Sequence, residues 1–243
     1  MAATFEGFQP IDFEVFTEER SRSETFNEKR LETKRRLAAL GDHCRPILSA
    51  AGLDLPRRTS LHHPFSTNRF RVQSMWLYFA RGTDRLAELK SVLGPAFSED
   101  LDPHYTHLLL VAEINAEEIK VGLRIHANAW WEGQNWKQKC SRSGEIGRCL
   151  NLLNQIPDSF EVRLHNWAHI DRCGSVRKDD LSNFLRRYQP GEHWATVQRT
   201  YSQEKAIELG PSFEQTLAND LVHLVPIYKY IAWSKKNNHL FSV

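Results

Sequence analysis

Tyr105-Thr-His-Leu-Leu-Leu-Val-Ala-Glu-Ile-Asn-Ala-Glu-Glu-Ile-Lys-Val-Gly-Leu-Arg-Ile-His126 decides the fold class. Two apolar runs, Tyr105 to Ile114 and Ile119 to His126, flank the polar connection Asn115-Ala-Glu-Glu118. A connection of that length between runs rich in Leu, Val and Ile predicts an antiparallel hairpin. Upstream, Arg71-Val-Gln-Ser-Met-Trp-Leu-Tyr-Phe-Ala80 mixes aromatic and apolar residues up to a turn at Gly82, and reads as a third strand. Downstream, Pro157-Asp158 turns the chain into a fourth, Phe160 to Leu164. A sheet core therefore occupies about residues 71–165.

Helices surround that core. Ile11 to Phe16 reads as a short helical turn. Thr17 caps a longer helix to about Leu40, with Gly41 as its stop, and Asp42 to Ala51 forms a second piece ending at Gly52. The mixed charges Glu28, Lys29, Arg30, Glu32, Lys34, Arg35 and Arg36 make the long helix a solvated, salt-bridged face rather than a basic one. Further helices are expected over Asp84–Leu93, Asn128–Cys140, Gly144–Gln155, Lys178–Arg187 and Ser202–Leu209. Ser212 then caps a closing helix from Phe213 to about Trp233, which Pro226 should bend or split. The expectation is one α+β domain over residues 1–243. N-terminal helices span 11–52, helices pack on a mainly antiparallel sheet, and the last third, about 177–233, is helical.

Composition bounds the function. A hydrophobic share of 41% and a charged share of 26% are ordinary for a globular protein, and a net charge of +2 singles out no nucleic-acid or membrane binder. Any such role must come from a local patch. The cysteines Cys44, Cys140, Cys149 and Cys173 form no C-x-x-C pair, so a four-sulfur zinc site is not expected. The opening Met-Ala-Ala-Thr-Phe-Glu-Gly-Phe is no secretory signal, and no apolar run is long enough for a membrane span. A cytoplasmic protein with reduced thiols, no membrane partner and no bound cofactor is the expectation, with oligomeric state left open. G-x-S-x-G, the P-loop and G-x-G-x-x-G are all missing.

Two acid-free stretches carry what chemistry remains. Between Asp54 and Asp84 the chain holds Arg57, Arg58, His62, His63, Arg69, Arg71 and Arg81 with no carboxylate. Guanidinium groups in such a run suit phosphate or carboxylate ligands, since their planar donors match paired oxygens. The second stretch, Gly133 to Gly144, follows Trp130 and Trp131 and contains Gln134, Trp136, Lys137, Lys139 and Arg142. At about 100° per residue, Trp131 and Trp136 point about 100° and about 240° away from Trp130. One core-facing stripe cannot hold all three indoles. Either protein wraps the segment on several sides, or one indole faces a ligand.

The first function expected is a binding module for an anionic ligand, nucleic acid among the candidates, lined by Arg57, Arg58, His63, Arg69, Arg71, Trp130, Trp131, Gln134, Trp136 and Lys137. The second is a small-molecule enzyme using His126 and Glu132 as acid and base with Arg124 stabilising an anion. The third is an interaction protein whose Trp cluster is buried. His165 and His169 stand at i,i+4, but the interior Glu of H-E-x-x-H is absent and a strand precedes them. His104 and His107 fall on opposite faces of a strand. No metal site is expected.

Short motifs along residues 8–160 add a resemblance. Phe8-x-x-x-Asp12-Phe13-x-Val15-Phe16 opens the chain, a helix ends in Ala39-Leu40-Gly41, and His63 precedes Arg69 and the Trp76 strand. Pro103-His104-Tyr105 and Ile156-Pro157-Asp158-x-Phe160 follow. The pattern resembles the YktB-like family of uncharacterised bacterial proteins. There a similar opening precedes a basic segment, a Trp-containing strand and a Pro-His-Phe entry to the next strand. The resemblance implies an α+β fold and carries over no activity and no catalytic residue. The Trp130–Trp136 block and the C-terminal third lie outside it.

Overall fold

Pro10 opens the first helix, α1 (Pro10–Glu14), where its missing N–H and fixed φ fit the first helical turn. Gln9 N–H donates to Asp12 Oδ2 at 2.8 Å, capping that turn. The other Asp12 oxygen accepts from Thr33 Oγ1 at 2.7 Å and Arg36 Nη1 at 2.9 Å, which pins α1 to the long helix α2 (Asn27–Ala50). The structure, a computed structural model, describes residues 4–82, 87, 91 and 107–240.

Helix α2 differs from expectation at both ends. It begins at Asn27 rather than Thr17, because buried Arg30 uses the carbonyls of Arg20 and Ser23 as acceptors and holds the preceding chain in turns. It also runs through Gly41 to Ala50. Gly41 serves close approach instead of termination: a Cβ there would lie 2.5 Å from Leu77 Cδ1 and 2.8 Å from Arg57 Cδ.

Strand β1 (Arg57–Thr59) pairs antiparallel with β2 (Ser74–Phe79), Arg57 opposite Phe79 and Thr59 opposite Leu77. The hairpin follows as β3 (Leu108–Asn115) and β4 (Glu118–Ile125). Asn115 Oδ1 accepts from the N–H groups of Glu117 and Glu118 at 2.8 and 3.0 Å, closing the turn through an Asx contact. Tyr105 and most of the helix expected over Asp84–Leu93 fall outside the described residues; Ala87 and Ser91, which are described, are helical.

Next come α3 (Trp130–Cys140), α4 (Glu145–Asn154), β5 (Glu161–Leu164), β6 (Ile170–Arg172) and α5 (Lys178–Arg187). The last third is helical as expected, with one strand that the sequence reading lacks, β7 (Ala195–Ser202). That strand lies inside the sheet, whose order is β1-β2-β3-β4-β7-β5-β6. Its neighbour β5 is antiparallel to it, Glu161 opposite Gln198 and Leu164 opposite Ala195, and β6 pairs antiparallel with β5. Ser202 then caps α6 (Gln203–Leu209), its side chain accepting from Lys205 N–H. The closing helix is split, as its proline requires, into α7 (Phe213–His223) and α8 (Val225–Ile231) with Pro226 in the first turn of the latter. The class is α+β with an antiparallel sheet and helices gathered toward the C-terminus.

The chain packs as two compact units. One comprises residues 1–79, 111–121 and 200–222, with a ring cluster of Phe5, Phe8, Phe13 and Phe213 in its interior. The other comprises 80–110, 122–199 and 223–243, built around Trp131, Trp136, Phe184, Tyr188 and Trp233. Among the described residues no helix is long and apolar enough to cross a membrane.

Candidate functional site

The tryptophan helix α3 is wrapped by protein on several sides, the first of the two alternatives its geometry allows. Trp131 and Trp136 are buried and Trp130 is half-buried. Trp131 meets Trp233 edge-on at 6.1 Å and His107 at 5.8 Å, while Trp136 packs on Phe184 and Tyr188 at about 6 Å. Gly133 lets Tyr188 approach: a Cβ there would sit 2.1 Å from the phenol oxygen. The basic and amide groups of the segment are turned to structural use. Lys137 Nζ donates to Tyr188 O at 2.6 Å, and Lys139 Nζ donates to Tyr230 O and Asn237 Oδ1. Gln134 is half-buried on the same helix.

Glu132 lies wholly within this interior. One carboxylate oxygen accepts from Arg81 Nη2 at 3.0 Å, and the other accepts from Trp233 N–H at 2.7 Å. Burial pushes the carboxyl above its ordinary range, opposed by Arg81 and by the N–H groups of Trp233 and Leu108. The Arg81 guanidinium also sits over the Trp131 ring at 5.5 Å. So Arg81, the last arginine of the first acid-free stretch, serves the interior of the second unit and is not an anion-binding group. His126 and Arg124 gather on Trp194, the imidazole 4.2 Å from its ring and the guanidinium 5.3 Å above it. His126 Nδ1 accepts from Asn128 N–H at 3.0 Å. Of the three residues expected as acid, base and anion stabiliser, His126 and Arg124 thus meet the Trp194 ring, whereas Glu132 meets Arg81 and the Trp233 backbone N–H.

In the first unit the acid-free stretch breaks into two parts. Arg57 and Arg58 are consecutive on β1, so their side chains leave opposite faces. Arg57 forks onto Asp42 of α2 at 2.6 and 2.9 Å. Arg71 faces Glu18 at 3.6 Å. The remainder, Leu61 to Phe70, is a built loop with apolar groups on its outside. Phe70 is 64% exposed, Phe65 51% and Leu61 42%, the largest such exposures among the described residues of this unit.

That exposure is held in place by hydrogen bonds. Asn68 N–H and Phe70 N–H donate to Phe65 O, Arg69 N–H to Ser66 O, and Arg71 N–H to Asn68 O. The Asn68 side chain accepts from Phe65 N–H at 2.7 Å and donates to His63 O at 2.9 Å. Arg69 and Phe70 carry φ of 54° and 56°, a conformation disfavoured by about 1–3 kcal/mol each for residues with a Cβ. Residues held in such conformations persist only where the surrounding structure over-determines them, and they cluster at ligand clamps and switch regions. At the base, Arg30 donates from Nε to His62 O at 2.9 Å and from its other nitrogens to Arg20 O, Ser23 O and Asn27 Oδ1. This buried guanidinium joins three chain segments without a carboxylate. Its position inside a charged helix gave no sign of that role.

The loop's surroundings are cationic. Burial, together with the charges of Lys34, His63 and Arg30, pushes the His62 imidazole below the ordinary histidine range. His62 and His63 meet edge-on at 5.0 Å, and His63 meets Phe65 at 6.1 Å. Desolvation likewise lowers Lys34, and among the described residues neither Lys34 nor exposed Arg69 makes an ion pair. A recess in this unit, about 300 Å³ and lined by Thr4, Glu6, Glu32, Arg35 and Arg36, mixes both signs of charge.

Among the described residues, His169, Asp171 and Asp180 bring potential metal-ligating atoms within 4.8 Å of one another. They already satisfy each other or a neighbour: His169 Nε2 meets Asp171 at 2.9 Å, and Asp180 forks onto Arg177 at 2.7 and 3.2 Å. His165 lies beyond the end of β5, so it shares no helix face with His169. All four cysteines are buried, and burial pushes the Cys44 and Cys173 thiols up to about 12. No protein-family model matches this chain, and no curated protein matches it in sequence.

Proposed function

We propose that the protein is a binding module for an anionic ligand, and that the ligand meets the Leu61–Arg71 loop with Lys34 beside it. The observation that carries this reading is exposed Arg69, without a carboxylate partner among the described residues, in a neighbourhood where burial first, and then the charges of Lys34, His63 and Arg30, disfavour protonation of His62. A protein surface normally intersperses charges of both signs, and this one leaves cations uncompensated where the chain is also strained and apolar. An incoming anion relieves that repulsion, which is a source of differential affinity. Arg69 offers paired donors to a phosphate or carboxylate, and Lys34 and His63 supply point charge. Trp131 and Trp136, being interior, are not part of the surface.

Retention on immobilised heparin tests the reading. Wild-type protein is expected to be retained at low ionic strength and released by salt, and K34A/R69A to elute earlier with an unchanged circular-dichroism spectrum. Failure of the wild type to bind at low salt, or identical elution of the double variant, overturns it.

A further inference from the structure

Resting on that reading, we infer that the anion is a single-stranded nucleic acid whose bases stack on Phe65 and Phe70 while its phosphates meet Arg69 and Lys34. A simple polyanion such as a phosphate or sulfated sugar explains the cations but not the rings. Two phenyl groups, each more than half exposed, are held outward by a loop in which the N–H groups of Phe65, Asn68, Arg69, Phe70 and Arg71 all donate within the loop. The conformation at Phe70 is unfavourable for any residue with a side chain, yet a phenylalanine occupies it and buries little. A ring in that position is a platform waiting for a flat apolar partner, and every nucleobase has one.

The order of residues distinguishes a strand from a membrane. An insertion tip needs a continuous apolar surface, because polar groups carried into the acyl boundary lose their water. Between Phe65 and Phe70 stand Ser66, Thr67, Asn68 and Arg69. A guanidinium between two rings instead matches the alternation of phosphate and base along an extended strand. Duplex DNA hides its base faces in the stack, so the rings would find no partner there without unstacking it. The edge-on His62–His63–Phe65 series continues the aromatic surface away from the loop tip. Residues 55 to 83 contribute no carboxylate of their own, and Glu18, brought to the end of the loop from outside that stretch, is met by Arg71 at 3.6 Å.

Fluorescence anisotropy of an end-labelled single-stranded oligothymidylate, titrated with the full-length protein, tests the inference. Wild type is expected to bind the strand more tightly than the duplex of the same length. F65A and F70A should each weaken strand binding by about 5- to 100-fold, the range of one lost base stack. F70W should restore it. Heparin binding, which involves no bases, should be unchanged in F65A and F70A, and this separates loss of stacking from loss of fold. If the phenylalanine variants bind the oligonucleotide as wild type does, or if strand and duplex bind equally, the inference fails while heparin retention keeps the anion reading alive. If neither oligonucleotide nor heparin binds at low salt, both fall. Sedimentation with phosphatidylserine vesicles that is abolished by F65A/F70A, without an effect on oligonucleotide binding, also overturns the inference in favour of a lipid surface.

Discussion

Helix α3 and the Leu61–Arg71 loop have nearly the same composition and opposite fates. Each combines aromatic rings, cations and side-chain amides, and the one carboxylate in either is Glu132 of α3. In α3 the rings at positions 131 and 136 are buried, the carboxylate of Glu132 holds Arg81, and Lys137 and Lys139 donate to carbonyls. In the loop, the two phenylalanines face water, and Arg69 has no ion-pair partner among the described residues. The difference lies in what the backbone does. A helix satisfies its own N–H and C=O groups and can be buried on all sides, so any side chain on it can become core. An irregular loop keeps to the surface, where its side chains are free to meet something else.

The comparison breaks first in stability. Trp131→Ala removes a wholly buried indole and should lower unfolding stability by about 3–5 kcal/mol. Glu132→Ala leaves Arg81 buried and unpaired, with a loss of similar size. F70A, by contrast, should stay within about 0.5 kcal/mol of wild type. Urea titration of the three variants reads this directly. An α3 substitution as mild as the loop substitution would mean that the helix is not core. Gly133→Ala is a smaller version of the same test: the added methyl must displace Tyr188 at an overpacking cost of about 1–3 kcal/mol. A melting temperature equal to that of wild type would contradict the close approach.

Much of the fold is legible in the sequence, and the exceptions have physical reasons. The hairpin, β2, α5 and the split at Pro226 follow from period, turn chemistry and proline, which act locally. Strand β7 is hard to read because Arg199 interrupts the apolar alternation of Ala195, Val197 and Tyr201, and its identity as a strand comes from neighbours far along the chain. Gly41 looks like a helix stop by local rules, and only the packing of Leu77 and Arg57 explains why the helix continues. The basic stretch was legible as charge, since acids are simply missing from it. Which of its cations are engaged was not legible: Asp42 and Glu18, which meet Arg57 and Arg71, lie well outside the stretch, and Arg81 turns inward to Glu132. The exposed phenylalanines were missed because a lone Phe in sequence reads as core. The signal that could have found them is the polar run separating Phe65 from Phe70.

A subtler effect concerns pH. His62 is held below the ordinary histidine range by burial and by Lys34 and Arg30 from α2 and His63 from its own loop. The unfolded chain therefore takes up this proton first as pH falls. Stability contributed at neutral pH is lost as pH drops below about 6.5 toward the lower folded value. H62Q should lose less melting temperature between pH 7.5 and 5.5 than wild type. A bound anion favours the imidazolium, so heparin affinity of wild type should rise over the same interval by more than that of H62Q. Equal pH dependence in the two proteins would show that the loop's positive field is not felt at His62.

The salt dependence of heparin binding to wild type, K34A/R69A and W131F measured side by side tests the central claim, that ligand contact belongs to the loop and not to the tryptophan helix. Two lost contacts should weaken K34A/R69A binding and flatten its plot of log affinity against log salt, while W131F follows the wild-type line. A double variant that coincides with wild type, or a W131F line that falls away instead, would contradict the assignment of the site to the Leu61–Arg71 loop.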